Sequence, residues 1–311
     1  MKRFLHGFRH RAARRGFALI IVLLVVALLG LVVGDLAMYS WYAQRASLNF
    51  SGDAQHVAAT DGILRVVCAR LSSKEFTETE RKQLLAEGVR GLALGDGLTD
   101  ALFEDESGKL NLNGLASPNA ATQDWTRQAW TALASALKVD EALATSIADF
   151  IATRSGTGGA GDVPQAITLL EELREVEGVT DALLYGGAGA AGVESQGLSG
   201  YVTCWGSGGV NVNTAPVEVL DAVLADVAPG KADVLIKYRT AKEFESIAEV
   251  VQVLGLDGPA AEPLAGRLTF TGGIVQVTVT TRSGPSRLVT HAVVDPGSDG
   301  KGIIRLCRRS P

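Results

Sequence analysis

The first 34 residues of this 311-residue chain contain no acidic side chain, and no proline occurs between Phe17 and Pro118. Six basic side chains precede residue 17, and the rest of the chain has 23 basic and 34 acidic residues. A basic start, an apolar run and an acidic body are typical of a membrane-anchored protein whose body lies on the far side of the membrane. An acidic body is also poorly suited to binding a phosphate backbone.

Cysteine and histidine are scarce. The three cysteines, Cys68, Cys204 and Cys307, are too few and too scattered for a zinc site. The sequence contains no Gly-x-Ser-x-Gly, no His-Glu-x-x-His and no P-loop, and no nucleophile has an evident base. We therefore expect that the protein is not an enzyme.

The apolar run RRGFALIIVLLVVALLGLVV, residues 14–33, has three interpretations. From Phe17, 17 consecutive side chains are uncharged and apolar, which spans about 25 Å of helix, near the lower limit for a bilayer. A cleaved secretory signal would need small residues after the run, and Val32 with Gly34 is a mediocre match. A plain single-pass anchor is the second interpretation. In the third, cleavage falls between Gly16 and Phe17, so the apolar helix stays on the mature protein.

The residues after the run favour the third interpretation. The stretch from Asp35 to Leu71 is polar but remains compatible with a helix, and its apolar side chains fall at roughly helical spacing. We predict one helix of about 50 residues from Phe17, apolar first and amphipathic after. Gly30, Gly34 and Gly52 should fray or bend it.

This arrangement resembles the class III signal of type IV pilins and pseudopilins, in which a prepilin peptidase cuts on the cytoplasmic side and methylates the new N-terminal residue, here Phe17. The fifth mature residue is then Ile21, where pilins usually carry a glutamate. A carboxylate in lipid is costly unless it is paired, and in a filament it can pair with the N-terminal amine of the subunit ahead. A subunit with Ile21 fits a position with no subunit ahead, at the tip. This property distinguishes the K minor pseudopilin of type II secretion systems.

Three stretches of the body also resemble the K component. They are EDESGKLNLNGL (104–115), GGVNVNTAPVEVLDAVL (208–224) and KYRTAKEFESIAEVVQVLGL (237–256). In the second stretch, Asn213 or Thr214 is predicted to cap a helix whose first turn contains Pro216 and Glu218.

The body contains an internal repeat. LLEELREVEGV (169–179) aligns with SIAEVVQVLGL (246–256), and KLNLNG echoes GVNVNT. We interpret residues 115–265 as two similar small helical bundles. After them, GIVQVTVTTRS, SRLVTHAVVD and GIIRLCRR predict three antiparallel strands with short turns.

The resemblance implies an α+β fold, in which a long N-terminal helix packs on an antiparallel sheet as in pilins. A large helical insertion would consist of two bundles similar to SAM or helix-hairpin-helix modules. The predicted segments are a cytoplasmic leader (1–16), the transmembrane part of the stalk helix (17–34), the rest of the stalk with the first part of the pilin-like domain (35–114), the helical insertion (115–265) and the C-terminal strands (266–311).

Calcium is the one cofactor that the resemblance suggests, at an acidic loop between helices. The matching region, ADFIATRSGTGGAGDVPQ, offers only two carboxylates, Asp149 and Asp162. Calcium prefers six to eight oxygen ligands, so these two are weak candidates and no metal is predicted there. The acidic EDES segment at 104–107 is predicted to be a surface turn.

The resemblance implies a minor pseudopilin at the tip of the periplasmic pseudopilus that initiates its assembly and limits its growth during protein export. The implied partners are the I- and J-type minor pseudopilins, the inner-membrane secretion platform and the prepilin peptidase, but no nucleic acid. The protein would span the inner membrane once, with its N-terminus in the cytoplasm and its body in the periplasm.

A second interpretation comes from a different class of protein. Residues 213–256 also resemble helix-hairpin-helix modules, which predicts a membrane-anchored protein that binds DNA during uptake. Acidic residues are interleaved with the basic side chains of this segment, which favours a solvated mixed face instead. Those basic side chains are Lys231, Lys237, Arg239 and Lys242.

Overall fold

The computed structural model has the predicted α+β architecture: a long N-terminal helix, an antiparallel sheet, and a helical region between two strands of that sheet. The structure describes residues 7–73, 75–94, 97–154, 165–188, 194–195, 197–257, 262–283, 286–297 and 302–310.

Helix α1 runs from Gly7 to Leu71 and contains 65 residues, a length of roughly 100 Å at the usual rise per residue. It includes the long helix predicted from Phe17. The expected fraying is absent, since the helix continues without a break through Gly30, Gly34 and Gly52. Its last turns pack on the sheet through Leu64, Val67, Cys68 and Leu71.

The main sheet has five antiparallel strands in the order β1-β2-β9-β10-β11. Its strands are β1 (Val89–Leu94), β2 (Gly97–Asp105), β9 (Val275–Ser283), β10 (Ser286–Asp295) and β11 (Ile303–Ser310). The last three strands form the predicted meander. The alternation predicted for β9 is also present, because its valines at 275, 277 and 279 are buried in the core that α1 covers.

A short helix, α2 (Glu78–Glu87), connects α1 to the sheet. It begins with a capping box, in which the Thr77 side chain accepts from the backbone N–H of Glu80 while the Glu80 carboxylate accepts from the backbone N–H of Thr77. Leu84 and Leu85 pack against the same core as α1. One face of the sheet is therefore covered by two helices.

Between β2 and β9 the chain forms two helical units. The first unit contains β3 (Leu110–Asn111), α3 (Ala120–Ala136), α4 (Glu141–Ala152), α5 (Asp181–Tyr185), β4 (Gly187–Ala188), β5 (Glu194–Ser195) and β6 (Val202–Thr203). The second unit contains β7 (Val210–Asn211), α6 (Val217–Leu224), α7 (Ala232–Ala241), α8 (Ile247–Leu254) and β8 (Leu268–Thr269). A single apolar core extends through both units.

The two units share part of their construction, as the repeat in the sequence predicts, although of its aligned segments Leu170–Glu175 is a 3-10 helix and Ile247–Leu254 is an α-helix. Each unit closes with a short parallel strand pair, β3 with β6 and β7 with β8. In the first unit, Asn113 donates to the carbonyls of Ile167 and Cys204 and accepts from the N–H of Ile167, at 2.8–2.9 Å. In the second, Asn213 makes the same three bonds to Phe244 and Phe270, each at 3.0 Å.

The predicted cap of α6 is wrong. The helix begins at Val217 after Pro216, and no side chain caps it. Asn213 is occupied by the three bonds just described, and Thr214 donates to an acidic side chain of the sheet. Long-range hydrogen bonds therefore use the two side chains that the local pattern assigned to the helix.

Candidate functional site

The first half of α1 presents apolar side chains that nothing in the described chain covers. Every residue from Leu19 to Ser47 is exposed, and by length and composition this stretch is able to cross a membrane. Exposed apolar surface of this extent is unfavourable in water, so it marks a membrane or protein contact. The stretch fits a single-pass anchor.

The predicted processing and filament-position residues lie at the start of this surface. Gly16 and Phe17 belong to α1. The Ile21 side chain is 47% exposed on the same helix, and it is followed only by apolar residues and glycine up to Val33. The helix has no carboxylate until Asp35.

Aromatic side chains follow the apolar run. Tyr39, Trp41 and Tyr42 are all exposed, and the guanidinium of Arg45 lies 4.8 Å from the centre of the Trp41 ring. Tyrosine and tryptophan are enriched where a helix leaves the hydrocarbon region, because their rings are apolar and their edges polar. From Phe17 to Tyr39 the helix rises about 33 Å, close to the thickness of a hydrocarbon core.

A buried carboxylate at the end of β2 connects the sheet to the second helical unit. Asp105 accepts hydrogen bonds at Oδ2 from Thr214 Oγ1 (2.7 Å) and Asn211 Nδ2 (3.3 Å). At Oδ1 it accepts from the backbone N–H of Ser107 (3.0 Å) and from Arg81 (3.4 Å). We call the four side chains of Arg81, Asp105, Asn211 and Thr214 the joint.

Helix α2 supplies the cation of the joint. The side chains of Arg81 and Asp105 are both more than nine-tenths buried, so this ion pair is shielded from water and salt. Arg81 also donates to the carbonyl of Gly273, just before β9. One residue later in α2, Lys82 forms an ion pair with Glu243 of the second unit. Together these contacts fix the second unit against both α2 and the sheet.

The next residue, Glu106, connects the sheet to the first helical unit. Its carboxylate accepts from Lys109 Nζ at 2.7 Å, and Lys109 also pairs with Glu104 at 2.8 Å. Burial raises the pKa of Glu106, against the attraction of Lys109 and a hydrogen bond from Thr203. Burial opposes the charge of Lys109, but the two neighbouring carboxylates outweigh it and raise the pKa of the lysine. Of two consecutive carboxylates at the end of β2, Asp105 thus attaches the second helical unit to the sheet and Glu106 attaches the first.

The prediction that the EDES segment is a surface turn is wrong. Glu106 is buried, and so is the Asp105 side chain. Acidic residues next to Ser-Gly predict a turn, and the structure has one, a single 3-10 turn at Glu106–Gly108. Only the predicted exposure of this turn is wrong. Its burial depends on partners about 100 residues away, Asn211 and Thr214, and no local pattern carries that information.

The weak metal candidates are not brought together in the described part of the chain. Asp149 is exposed and pairs with Arg127 at 3.1 Å, and Asp162 lies outside the described residues. Among the residues that the structure describes, no group of three or more His, Cys, Asp or Glu side chains is placed to hold a metal ion.

Three of the four basic side chains that suggested DNA binding make bonds within the fold. Lys231 donates to the carbonyl of Leu254 at 2.7 Å, and Arg239 donates to the carbonyls of Val212 and Ala215 at 2.7 and 2.8 Å. A third, Lys242, pairs with a glutamate of α8 at 2.6 Å. Cations held in this way are poorly placed to grip phosphate, so the DNA-binding interpretation gains no support.

The described cysteines do not provide a nucleophile. Cys68 and Cys204 are both buried free thiols. Burial raises the pKa of each, and for Cys204 the nearby carboxylate of Glu106 raises it further. Because the thiolate is the reactive form, neither residue is suited to nucleophilic chemistry.

Comparisons with known proteins agree on one family. A family model described as type II secretion system (T2SS), protein K, matches residues 210–271, which is essentially the second helical unit. The type II secretion system protein K of Pseudomonas aeruginosa PAO1 is 27% identical over 321 aligned positions, covering 96% of this chain and 93% of that protein. In the solved GspK-GspI-GspJ complex from the type 2 secretion system of enterotoxigenic Escherichia coli, one chain matches with a TM-score of 0.62 and 18% identity. That match covers 86% of this chain and 99% of the other, and it shows a shared fold.

Proposed function

We propose that this chain is a minor pseudopilin of the type II secretion protein K family and that it occupies the tip of a periplasmic pseudopilus. There it would initiate assembly of the filament and limit its growth during protein export. The observation that carries the proposal is Ile21, an apolar exposed residue at the fifth position of a helix that would begin at Phe17. This helix offers no carboxylate to the amine of a subunit further out.

The proposed life cycle begins in the inner membrane. Residues 1–16 carry six basic side chains and stay in the cytoplasm by the positive-inside rule. Prepilin peptidase cuts between Gly16 and Phe17 and methylates Phe17. The apolar part of α1 then holds the protein in the membrane with its body in the periplasm.

Assembly would place the apolar stalk beside the stalks of other minor pseudopilins. The solved complex that shares this fold contains GspI and GspJ together with GspK, so the proposed partners are the I- and J-type pseudopilins of the same system. The inner-membrane secretion platform would add further subunits from below. The two helical units occupy residues 110–269, about half of the chain, and their bulk would act together with Ile21 to disfavour a subunit above.

Processing is tested by mass spectrometry of the protein extracted from membranes. We expect an N-terminus at methylated Phe17. A chain that begins at Met1, or beyond residue 34, would contradict the proposal at its first step.

The tip position is tested by Ile21→Glu, with Val22→Glu as the matched control one residue along the same helix. Both variants add one carboxylate to the apolar run, but only the first places it at the fifth mature position. We expect Ile21→Glu to appear in the interior of the filament, as judged by cross-linking to subunits on both sides, and Val22→Glu not to. Equal behaviour of the two variants would remove the role assigned to Ile21.

A further inference from the structure

Charge is divided unequally along the body of this chain. Residues 110–269, which form the helical units, contain 20 acidic and 9 basic side chains. Residues 270–311, which include the last three strands of the sheet, contain 2 acidic and 6 basic side chains. Both of those acids, Asp295 and Asp299, lie at or after the end of β10. The helical units are therefore acidic, and the C-terminal strands are net positive.

One end of the sheet faces the membrane-spanning part of α1. Thr60 Oγ1 lies 3.4 Å from the Oγ1 of Thr281, near the end of β9. Cys68, further along the helix, lies beside Gly302, just before β11. The end of β9 and the start of β10 are therefore on the side from which α1 continues toward its apolar run, and antiparallel pairing puts the end of β11 on the same side.

Four arginines lie at this end of the sheet, and we call them the arginine rim: Arg282, Arg287, Arg308 and Arg309. The first two are at paired positions of β9 and β10, and the last two are near the end of β11, opposite His291 and Thr290 of β10. Arg282 and Arg287 are exposed. Among the ion pairs of the described residues, Arg282 has one, with Asp100 at 3.0 Å, and Arg287 has none. Asp96, between β1 and β2, lies outside the described residues.

The two arginines that face each other across β9 and β10 leave an unmet electrostatic demand. Like charges at paired positions of a sheet are unfavourable, and Arg282 and Arg287 form such a pair. Leu98 of β2 pairs with Arg282 on its other side, and its side chain is 56% exposed. A surface that brings carboxylates to the arginines and covers this leucine would therefore be complementary to the rim.

Lipid headgroups are too far away to be that surface. Helix α1 continues without a break from Tyr39, where the exposed aromatic side chains begin, to Thr60, at the level of the rim, and it rises about 32 Å over this distance. A tilt of about 40° would still leave about 24 Å. Electrostatic attraction in physiological salt falls off over about 8 Å, so the surface that reaches the rim belongs to a protein.

From these observations we infer that the arginine rim is the docking site for an acidic surface on the body of a neighbouring minor pseudopilin, of the I or J type. Subunits whose stalks pack beside α1 present their bodies on the membrane side of a tip protein, which is the side that the rim faces. Leu98 supplies an apolar contact, and the arginines select carboxylates through charge-assisted hydrogen bonds. This inference rests on the proposed function, since it names the surface by which the tip protein holds the subunits beneath it.

The first experiment reverses the charge of the rim with the double variant Arg282→Glu/Arg287→Glu. The matched control, in the helical units, is Arg127→Glu/Lys237→Glu. Each variant changes one cation that pairs with an aspartate and one exposed cation that has no ion pair among the described residues. Each full-length variant is co-purified from detergent-solubilised membranes with the I- and J-type pseudopilins of its own system. We expect recovery of the partners to fall at least fivefold for the rim variant and less than twofold for the control.

The second experiment keeps the charge of the rim, so its outcome does not depend on whether a charge-reversed variant folds. Arg287→Lys replaces the guanidinium with an amine, which a carbodiimide couples to a carboxylate in direct contact. In the assembled complex we expect a cross-link from position 287 to an aspartate or glutamate of the I- or J-type pseudopilin, identified by mass spectrometry of the peptides. Lys237, exposed on α7, is the internal control and should give no cross-link to either partner.

The outcomes separate the inference from the function on which it rests. If the complex forms but the rim variant binds normally and position 287 gives no cross-link to a partner, the inference is wrong and the proposed function stands. A cross-link from position 287 to a second copy of this chain would also overturn the inference. So would a loss of partners that occurs only when phosphatidylglycerol is added to the detergent, because lipid would then be the occupant. If the unmodified chain recovers no pseudopilin, the proposed function fails, and the docking site fails with it.

Discussion

Thr214 Oγ1 donates a hydrogen bond of 2.7 Å to Asp105 Oδ2, across 109 positions of the sequence. This contact joins the last residue of β2 to the loop before α6. The same carboxylate accepts from Arg81 of α2, so one side chain holds the sheet, a helix that covers it and the second helical unit. The position of the second helical unit against the sheet therefore depends on Asp105.

We predict that Asp105→Asn destabilises the protein by about 2–4 kcal/mol, because it leaves the Arg81 guanidinium buried without its counter-charge. The measurement is urea unfolding of the detergent-solubilised chain, followed by tryptophan fluorescence. The control, Asp100→Asn, lies on the same strand and breaks the more exposed pair with Arg282. Its cost should stay below about 1 kcal/mol. Equal costs for the two variants would show that burial of the joint contributes nothing.

The sequence predicted the parts of the fold that depend on local pattern. The absence of proline after Phe17 predicted a long helix, and the alternating valines of β9 predicted a half-buried strand. Both are present in the structure. The internal echo of asparagines predicted two similar units, and Asn113 and Asn213 indeed make equivalent bonds. In each case the residues that determine the structure form a pattern that is visible in the sequence.

The parts that were missed depend on contacts between distant segments. Asn213 or Thr214 was predicted to cap a helix because the local surroundings favour a cap, but Asn213 bonds to Phe244 and Phe270 and the Thr214 hydroxyl donates to Asp105. Glu106 was predicted to lie at the surface because acidic residues usually do, but Lys109 and a hydrogen bond from Thr203 offset part of the cost of burying it. Pairing partners of this kind have no fixed spacing, so a single sequence does not reveal them.

A glycine beside the joint provides the second prediction. A Cβ on Gly108 would lie 2.8 Å from Thr214 Oγ1 and 3.0 Å from the backbone nitrogen of Ala215. Since Thr214 is held by Asp105, the second unit would have to shift, at a cost of about 1–3 kcal/mol. Gly108→Ala should therefore lower the urea midpoint, and Gly266→Ala, where a Cβ meets nothing within 4 Å, should leave it nearly unchanged. An unchanged urea midpoint for Gly108→Ala would mean that the segment at Thr214 and Ala215 moves aside for the added methyl group at little cost.

The repeated asparagines provide the third prediction. Asn113→Ala and Asn213→Ala each remove three hydrogen bonds and leave backbone groups without partners, so each should cost about 2–4 kcal/mol. The cost for Asn113 should be the larger, because its bonds are fully buried and those of Asn213 are partly buried. As a control, Asn119→Ala removes an exposed helix cap and should cost about 1 kcal/mol. A cost for either repeat asparagine no larger than that of the cap would mean that its three hydrogen bonds do not hold the unit together.

The fourth prediction concerns pH. Arg267 donates two hydrogen bonds to Asp226, at 2.5 and 2.9 Å, and these bonds hold the pKa of Asp226 below its ordinary value of 3.8. A carboxyl group whose pKa is lower in the folded state stabilises that state above its unfolded pKa, and this stability is lost as the pH falls through the folded pKa. Asp226→Asn should therefore lower the unfolding free energy at pH 7 by about 1 kcal/mol, a modest value because the carboxylate is partly exposed.

At pH 3 and below, the difference between the unmodified protein and Asp226→Asn should shrink, since the unmodified protein progressively loses the same charge. Urea unfolding at a series of pH values between 7 and 2 measures the difference directly. Asp233→Asn, at an exposed position on α7, serves as the control and should change the unfolding free energy little at any pH. A difference for Asp226→Asn that stays constant from pH 7 to pH 2 would mean that the pair with Arg267 does not stabilise the folded state through its charge.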